Sequence, residues 1–387
     1  NRRQIECRGV TGTRFRCLKT RQEWRRHKMD KMFITMCVIA YNEEKSINII
    51  LDCIRKQDYG HNLCEVILVD GASTDNTKAV MEQFAKENED SANPFKRVMV
   101  LDNPKRNLPS GWNVALAHYT SEVIIKVDAH AEIPEDFVSK NIAVLESGED
   151  ICGGQRPAIL DESTPWKETL LLAENSMFGS GIAPYRNNPG KTYVKSVFHG
   201  AYRRKVFDTV GGFNENLVRT EDNEIHYRMR EAGFKICFDP QIISYQHIRS
   251  SLPKMLKQKY ANGYWIGVTS KVCPECLSVY HFVPFAFVSA IGLSGITMAV
   301  VKLARECSLI KKFFGKALDG IMKTVKFLTG IMWGAYGVLA AVMSVMASVK
   351  AGNKRNKTNA ALPGLFLLLH LSYGIGTVAG ILKKESR

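Results

Sequence analysis

The chain has 387 residues, of which 45% are hydrophobic and 24% charged, with a formal net charge of +15. This excludes a wholly disordered chain and a wholly membrane-embedded one, and the length allows one sizeable domain with a smaller one beside it. A basic excess draws a protein to nucleic acid, anionic lipid or phosphorylated substrates; the long apolar runs of the last third make lipid the first candidate.

Residues 1–31 are rich in cations, among them Arg2, Arg3, Arg14, Arg16, Arg25, Arg26 and Lys28. No secretory leader pattern is visible there, and the stretch reads as a solvated basic arm, with a lipid-surface anchor as the alternative. Residues 33–40 form a short apolar run of the kind that makes a buried strand. Ser46 then caps a helix through Gln57, 65–69 is a second strand and 77–88 a second helix. A third strand is expected at 97–101, a third helix at 110–119, and a fourth strand at 123–127 ending on Asp128. Strict alternation predicts an α/β fold, with a parallel sheet and helices on both faces. Ligands bind such sheets at the carboxyl ends of the strands, where Asn42, Glu43, Asp70, Asp128 and His130 stand.

The next part is less regular. Residues 166–178 have helical periodicity, 198–204 suit a strand running into a helix, 222–232 a helix stopped by Gly233, and 252–261 a basic amphipathic helix. Three apolar segments follow, 281–301, 327–349 and 361–382, each near the twenty residues that span a bilayer. Basic residues flank all three, so three full spans cannot place every flank on one side. A re-entrant or interfacial first segment, suited by Pro284, Gly292, Ser294 and Gly295, keeps the 302–326 flank and the C-terminus together; an ordinary third span stays open. The expected division is a basic arm (1–31), a catalytic domain (32–270) and a membrane region (271–387) with two to three transmembrane helices.

The ten cysteines are scattered. Cys37, Cys53, Cys64, Cys152 and Cys237 fall inside predicted elements and read as buried free thiols. Cys273 and Cys276 make a C-x-x-C without a second pair at zinc-site spacing, and Cys7 and Cys17 complete a site only through a distant fold, so zinc is not expected.

Four stretches carry a family resemblance: C-V-I-A-Y-N-E at 37–43, V-D-G-A-S-T-D at 69–75, D-A-H-A at 128–131 and T-E-D-N-E at 220–224. In that order and spacing they resemble the inverting glycosyltransferase family 2, whose catalytic domain has the A-type, Rossmann-like nucleotide-diphospho-sugar transferase fold. D-A-H-A in place of the usual D-x-D, with a C-terminal membrane region, is most similar to succinoglycan-type exopolysaccharide glucosyltransferases. The resemblance implies a nucleotide-sugar donor, with UDP as its nucleotide, held by Ala40, Asn42, Glu43, Asp70, Asn113 and Asp128. It implies Asp222 as the base, with Glu221 beside it, and an acceptor and diphosphate side at His199, Gly200, Gln258, Tyr260 and Trp265. The stretches H-G-A-Y-R at 199–203 and V-G-G-F at 210–213 fit its acceptor-side frame. The processive motif Q-x-x-R-W is absent after Gln258, which favours an enzyme that adds one sugar.

The chemistry accounts for these residue types. A carboxylate at the end of a strand, such as Asp70, accepts from a uracil N–H, and Glu43 from ribose hydroxyls; turn chemistry also selects Asp and Asn at such places, and Asp75 can simply cap the following helix. Charge on a departing diphosphate is stabilised by a divalent ion. Asp128 and His130 suit Mg2+ or Mn2+, the imidazole being better tolerated by Mn2+; His130 as a hydrogen-bond donor to phosphate is the alternative. Inversion needs a base for the acceptor hydroxyl, and a helix N-terminus keeps Glu221 and Asp222 ionised. Expected partners are a nucleotide sugar, a polyprenyl-linked saccharide and anionic membrane lipid, but no nucleic acid. The expected location is a bacterial cytoplasmic membrane, crossed several times, with the catalytic domain cytosolic. Sugar transfer directly onto a polyprenyl phosphate is the first alternative. A non-catalytic scaffold or nucleic-acid binder is the second, opposed by the intact acidic set and by the lack of an aromatic-studded basic strand.

Overall fold

The computed structural model describes residues 32–179, 190–248, 251–352 and 355–384; the basic arm, with Cys7 and Cys17, lies outside the described residues. Strand β1 (Ile34–Ala40) is buried throughout. Its alternate residues enter two different cores, Ile34, Met36, Val38 and Ala40 on one face and Cys37 and Ile39 on the other, as a period of two requires. The chain continues through α1 (Ile47–Arg55), β2 (Cys64–Asp70), α2 (Thr77–Glu89), β3 (Arg97–Asp102), α3 (Leu108–His118) and β4 (Val123–Asp128). This alternating stretch follows the predicted order. Ser46 precedes α1 without capping it through its side chain; its hydroxyl donates to Glu43 instead.

The elements β5 (Ala131–Glu132), α4 (Phe137–Glu146), β6 (Ile151–Gln155), β7 (Ala158–Ile159), α5 (Pro165–Asn175), β8 (Thr192–Val194), β9 (Gly200–Arg203), α6 (Arg204–Val210), α7 (Glu221–Glu231), β10 (Ile236–Ile243) and β11 (Tyr245–His247) complete the α/β part. The main sheet has the order β3-β2-β1-β4-β9-β6-β10-β8, and β5-β11-β7 form a small second sheet. The alternating stretch pairs in parallel as expected, whereas β9 runs antiparallel to both β4 and β6, and β8 antiparallel to β10. The cause lies in the connection. After β6 and β7 the chain leaves the sheet for α5, whose Leu170 and Ala173 pack among the C-terminal helices, so among the described residues of this connection no helix makes the covering crossover that a parallel neighbour needs. Helices α1, α2 and α4 cover one face of the sheet, and α3, α6 and α7 the other.

Helix α8 (Leu252–Val272) extends well beyond the expected 252–261, and α9 (Val283–Glu306), α10 (Ser308–Lys350) and α11 (Leu362–Leu382) follow. Three helices, Val279–Glu306, Ser308–Lys350 and Lys357–Leu382, are long and apolar enough to cross a membrane. The 43 residues of α10 amount to roughly 65 Å at 1.5 Å per residue, twice a bilayer core. From Ser308 on, the basic flank expected before the second span is therefore helix, since lysine is a good helix former. Helices α8 and α11 approach closely on glycine: a Cβ at Gly263 would lie 1.9 Å from the Tyr373 carbonyl oxygen, and one at Gly376 2.1 Å from that of Tyr260. Close backbone approach on small residues is how helices associate where no water drives them together.

Candidate active site

The parallel part of the sheet aligns its functional side chains by register. Ala40 pairs with Asp70 on β2, and Ile39 with Asp128 on β4, so both aspartates finish their strands on either side of the end of β1. Beyond Ala40, Asn42 adopts a left-handed backbone (φ 55°), which asparagine tolerates. Its N–H donates to Ser73 Oγ (3.0 Å) and its Oδ1 accepts from the Thr74 N–H (2.8 Å). The Glu43 N–H donates to Thr77 Oγ1 (2.7 Å). The buried Asp70 carboxylate accepts from the Ser73 N–H at 3.1 Å, and Asp75 Oδ1 from the Thr77 N–H at 3.0 Å. The two strand-end loops thus lock each other, and the side chains of Asn42 and Asp70 are both engaged in that lock.

A second group gathers where β4 meets the N-terminus of α7. Alternation on β4 puts Lys126 and Asp128 on the face covered by α7. Lys126 is only 4% exposed, and its ammonium is bonded to Asp222 Oδ1. Burial alone would lower the affinity of Lys126 for its proton, but the charges of Asp222 and Glu221 outweigh it and the pKa is raised. Glu221 is buried, and no described residue partners its Oε2. Burial first, and then the neighbouring Asp222 charge, push its carboxyl up to about 8. Asp128 is held well below the usual carboxylate range: burial opposes this, but His199, His130 and Arg156 outweigh it. His199 Nε2 lies 3.2 Å from the Asp128 backbone N and 3.6 Å from its Oδ2. His199 Nδ1 is buried without a partner among the described residues. His130 Nδ1 is 3.2 Å from Glu43 Oε1, linking the β1 loop to the D-A-H-A turn. Glu43 and His130 also line a cavity of about 320 Å³ with Lys45, Asp161, His247 and Lys254.

Other expected residues fall at different distances from this group. Gly200 opens β9, where a Cβ would stand 2.7 Å from the Tyr202 hydroxyl. Gln258, Tyr260 and Trp265 all lie on α8; Lys383 Nζ stands 5.8 Å from the Trp265 ring. Helix α8 reaches the segment before Asp222 through Arg219 to Asn262 (3.2 Å) and Thr220 Oγ1 to Thr269 Oγ1 (2.5 Å). Asn113 lies on α3. Its amide donates to the Phe213 carbonyl (2.9 Å) and to Glu215 (3.1 Å), fastening α3 to the loop before α7. Two cations were missed, Lys126 and the buried Arg156, whose guanidinium lies 3.1 Å from the centre of the Phe198 ring. A lysine inside the apolar run V-I-I-K-V-D was the available signal.

Among the described residues no three His, Cys, Asp or Glu side chains converge to enclose a metal ion by themselves. Asp128 and His130, each partly exposed at the strand end, suit an ion that takes its other ligands from a bound diphosphate and water, which is how Mg2+ is usually held.

An α/β sheet with acidic strand ends and a carboxylate pair on a facing helix suits a polar ligand held at the carboxyl ends of the strands. Residues 35–211 match the model of glycosyl transferase family 2. It is similar to the succinoglycan biosynthesis protein ExoA of Rhizobium meliloti (strain 1021), 27% identical over 225 residues, covering 57% of this chain and 65% of that protein. The match thus spans just under two thirds of that relative's length. It is also similar to the dolichyl N-acetyl-alpha-D-glucosaminyl phosphate 3-beta-D-2,3-diacetamido-2,3-dideoxy-beta-D-glucuronosyltransferase of Methanococcus voltae, 26% identical over 235 residues, covering 60% of this chain and 72% of that one. In fold it resembles the mannosyltransferase PcManGT from Pyrobaculum calidifontis, solved with GDP-Man and Mn2+, with a TM-score of 0.52 at 16% identity, covering 92% of this chain and 89% of that one.

Proposed function

We propose that the protein is an inverting glycosyltransferase that moves one sugar from a UDP-sugar to a lipid-linked saccharide, in the synthesis of an exopolysaccharide or other cell-surface glycan. In this reading residues 32–270 are the catalytic domain, facing the cytosol of a bacterial cell, and 271–387 its multi-pass attachment to the cytoplasmic membrane. The observation that carries it is the pairing of Asp222 with the buried Lys126 beside Asp128, at the sheet edge where family members bind donor.

The nucleoside lies over the strand-end loops, its base at Asp70 and its ribose at Asn42 and Glu43. Asp128 and His130 would hold a Mn2+ or Mg2+ ion, which would supply positive charge to the departing diphosphate. Asp222 accepts the proton of the acceptor hydroxyl as that oxygen attacks the sugar carbon. Glu221 stands beside the base, its carboxyl pKa raised by burial and by the Asp222 charge. His199 and Gly200 border the diphosphate side, and Gln258, Tyr260 and Trp265 on α8 the acceptor side. Anionic lipid meets the basic residues near 254–259 and 302–326, each worth about 1 kcal/mol close to the surface.

Incubating membranes containing the protein with a set of labelled nucleotide sugars, then extracting lipid, tests this. Label in a lipid-linked oligosaccharide, lost on chelation of divalent ions, is expected. A single sugar on a lipid monophosphate would instead support the polyprenyl-phosphate reading. Absence of both transfer and nucleoside-diphosphate binding would remove the enzymatic one.

A further inference from the structure

We infer that Lys126 is a positioning residue for the transfer step, its ammonium fixing the direction of the Asp222 carboxylate. This deepens the glycosyltransferase reading above and rests on it.

Four observations meet at this side chain. Lys126 sits on β4 with the aromatic rings of Trp112 and Phe213 beside its ammonium, 5.0 and 5.4 Å from the ring centres. Such contacts restrict where a cation can point. The ammonium reaches Asp222 Oδ1 across the joint between sheet and helix. Glu221 and Asp128 also act on it electrostatically. Lastly, the Asp222 side chain is 20% exposed while that of Lys126 is 5% exposed: the carboxylate reaches the open side of the site, and its anchor stays behind it.

The geometry has a chemical consequence. An ionised carboxylate can accept on both oxygens. Engaging Oδ1 leaves Oδ2 to receive an acceptor hydroxyl, in one orientation rather than several. Without the ammonium, the partly exposed Asp222 carboxylate is free to turn toward solvent, away from any hydroxyl approaching the sugar carbon. Misplacement of a reacting group by about 1 Å costs on the order of 100-fold in rate. Lys126 touches neither donor nor acceptor in this account; it acts through Asp222.

The test uses the full chain in detergent, with UDP as the binding probe and the active UDP-sugar with extracted membrane lipid as substrates. Lys126→Met is expected to lower kcat about 100-fold, leaving the donor KM and the UDP Kd within about threefold. In an Asp222→Asn background the same change should cost less than about threefold more, because residues acting as a unit are non-additive. Lys126→Gln keeps an N–H for Asp222 and should fall between the wild type and Lys126→Met; it also serves if the Met variant fails to fold. A kcat near that of the wild type in either variant, a loss expressed mainly in donor KM, or full additivity with Asp222→Asn would overturn the inference. The two readings fail differently. A wild-type protein that transfers no sugar removes the glycosyltransferase reading. Active Lys126→Met beside inactive Asp222→Asn removes only the role of Lys126.

Discussion

Two glutamates lie buried at opposite edges of the same sheet, and they are treated in opposite ways. Glu65, at the start of β2, accepts from Thr35 Oγ1, from the Thr120 N–H and hydroxyl, and from Arg97 Nε and a terminal guanidinium nitrogen. Burial would raise its pKa, yet these bonds outweigh burial and lower it. Glu221, at the start of α7, has a buried oxygen without a partner among the described residues, and its carboxyl is pushed up to about 8. A buried charge that is fully bonded ties strands together; a buried acid left incomplete is costly to keep and marks an edge arranged for a ligand. The amino ends of the strands are thus built for stability, and the carboxyl ends for chemistry.

Removing the structural member should have the larger effect. Glu65→Ala removes the acceptor of the Thr35 hydroxyl and of the Thr120 N–H, and a buried donor left without a partner costs about 1–3 kcal/mol. Thermal unfolding in detergent should show that loss while the folded fraction keeps its UDP affinity. A change below about 1 kcal/mol would place the two glutamates in the same class.

A smaller effect sharpens the contrast through pH. Because the folded state raises the Glu221 pKa from 4.5 to about 8, the folded protein holds more protons than the unfolded chain across that window, and stability falls as pH rises through it. Glu65 has the opposite sign: its lowered pKa gives stability that is present at neutral pH and lost as pH falls through the carboxylate range. Melting temperatures measured from pH 5 to pH 8 should therefore decline in the wild type and be flatter in Glu221→Gln. An unchanged slope in that variant would assign the decline to other groups.

The sequence made the first half of this architecture legible because it is locally encoded. Apolar runs followed by Asn42, Asp70 and Asp128 mark both the strands and the end of the sheet at which α/β proteins bind ligands. The direction of β9 was not legible, since strand polarity depends on a connection that docks α5 against distant helices. The reach of α8 was hidden in the same way. Its mean composition reads as an interfacial helix, and only the glycines at 263 and 267, matched by 376 and 380 on α11, betray its close packing. The bonds of the Asn113 amide to the loop at 213–215 join segments a hundred positions apart, so they too were hidden in the sequence. Lys126 was passed over as one residue of a strand, because the carboxylate it serves lies 96 positions along the chain.

The central claim is that the carboxyl edge of the sheet carries one base for sugar transfer, and Asp222→Asn tests it most directly. The substitution keeps shape and removes charge. Titration with UDP and turnover of the active UDP-sugar should be measured on the same preparation. UDP affinity within about threefold of the wild type, together with transfer reduced on the order of 1,000-fold, is the predicted result. Transfer at the wild-type rate with UDP still bound would contradict the account.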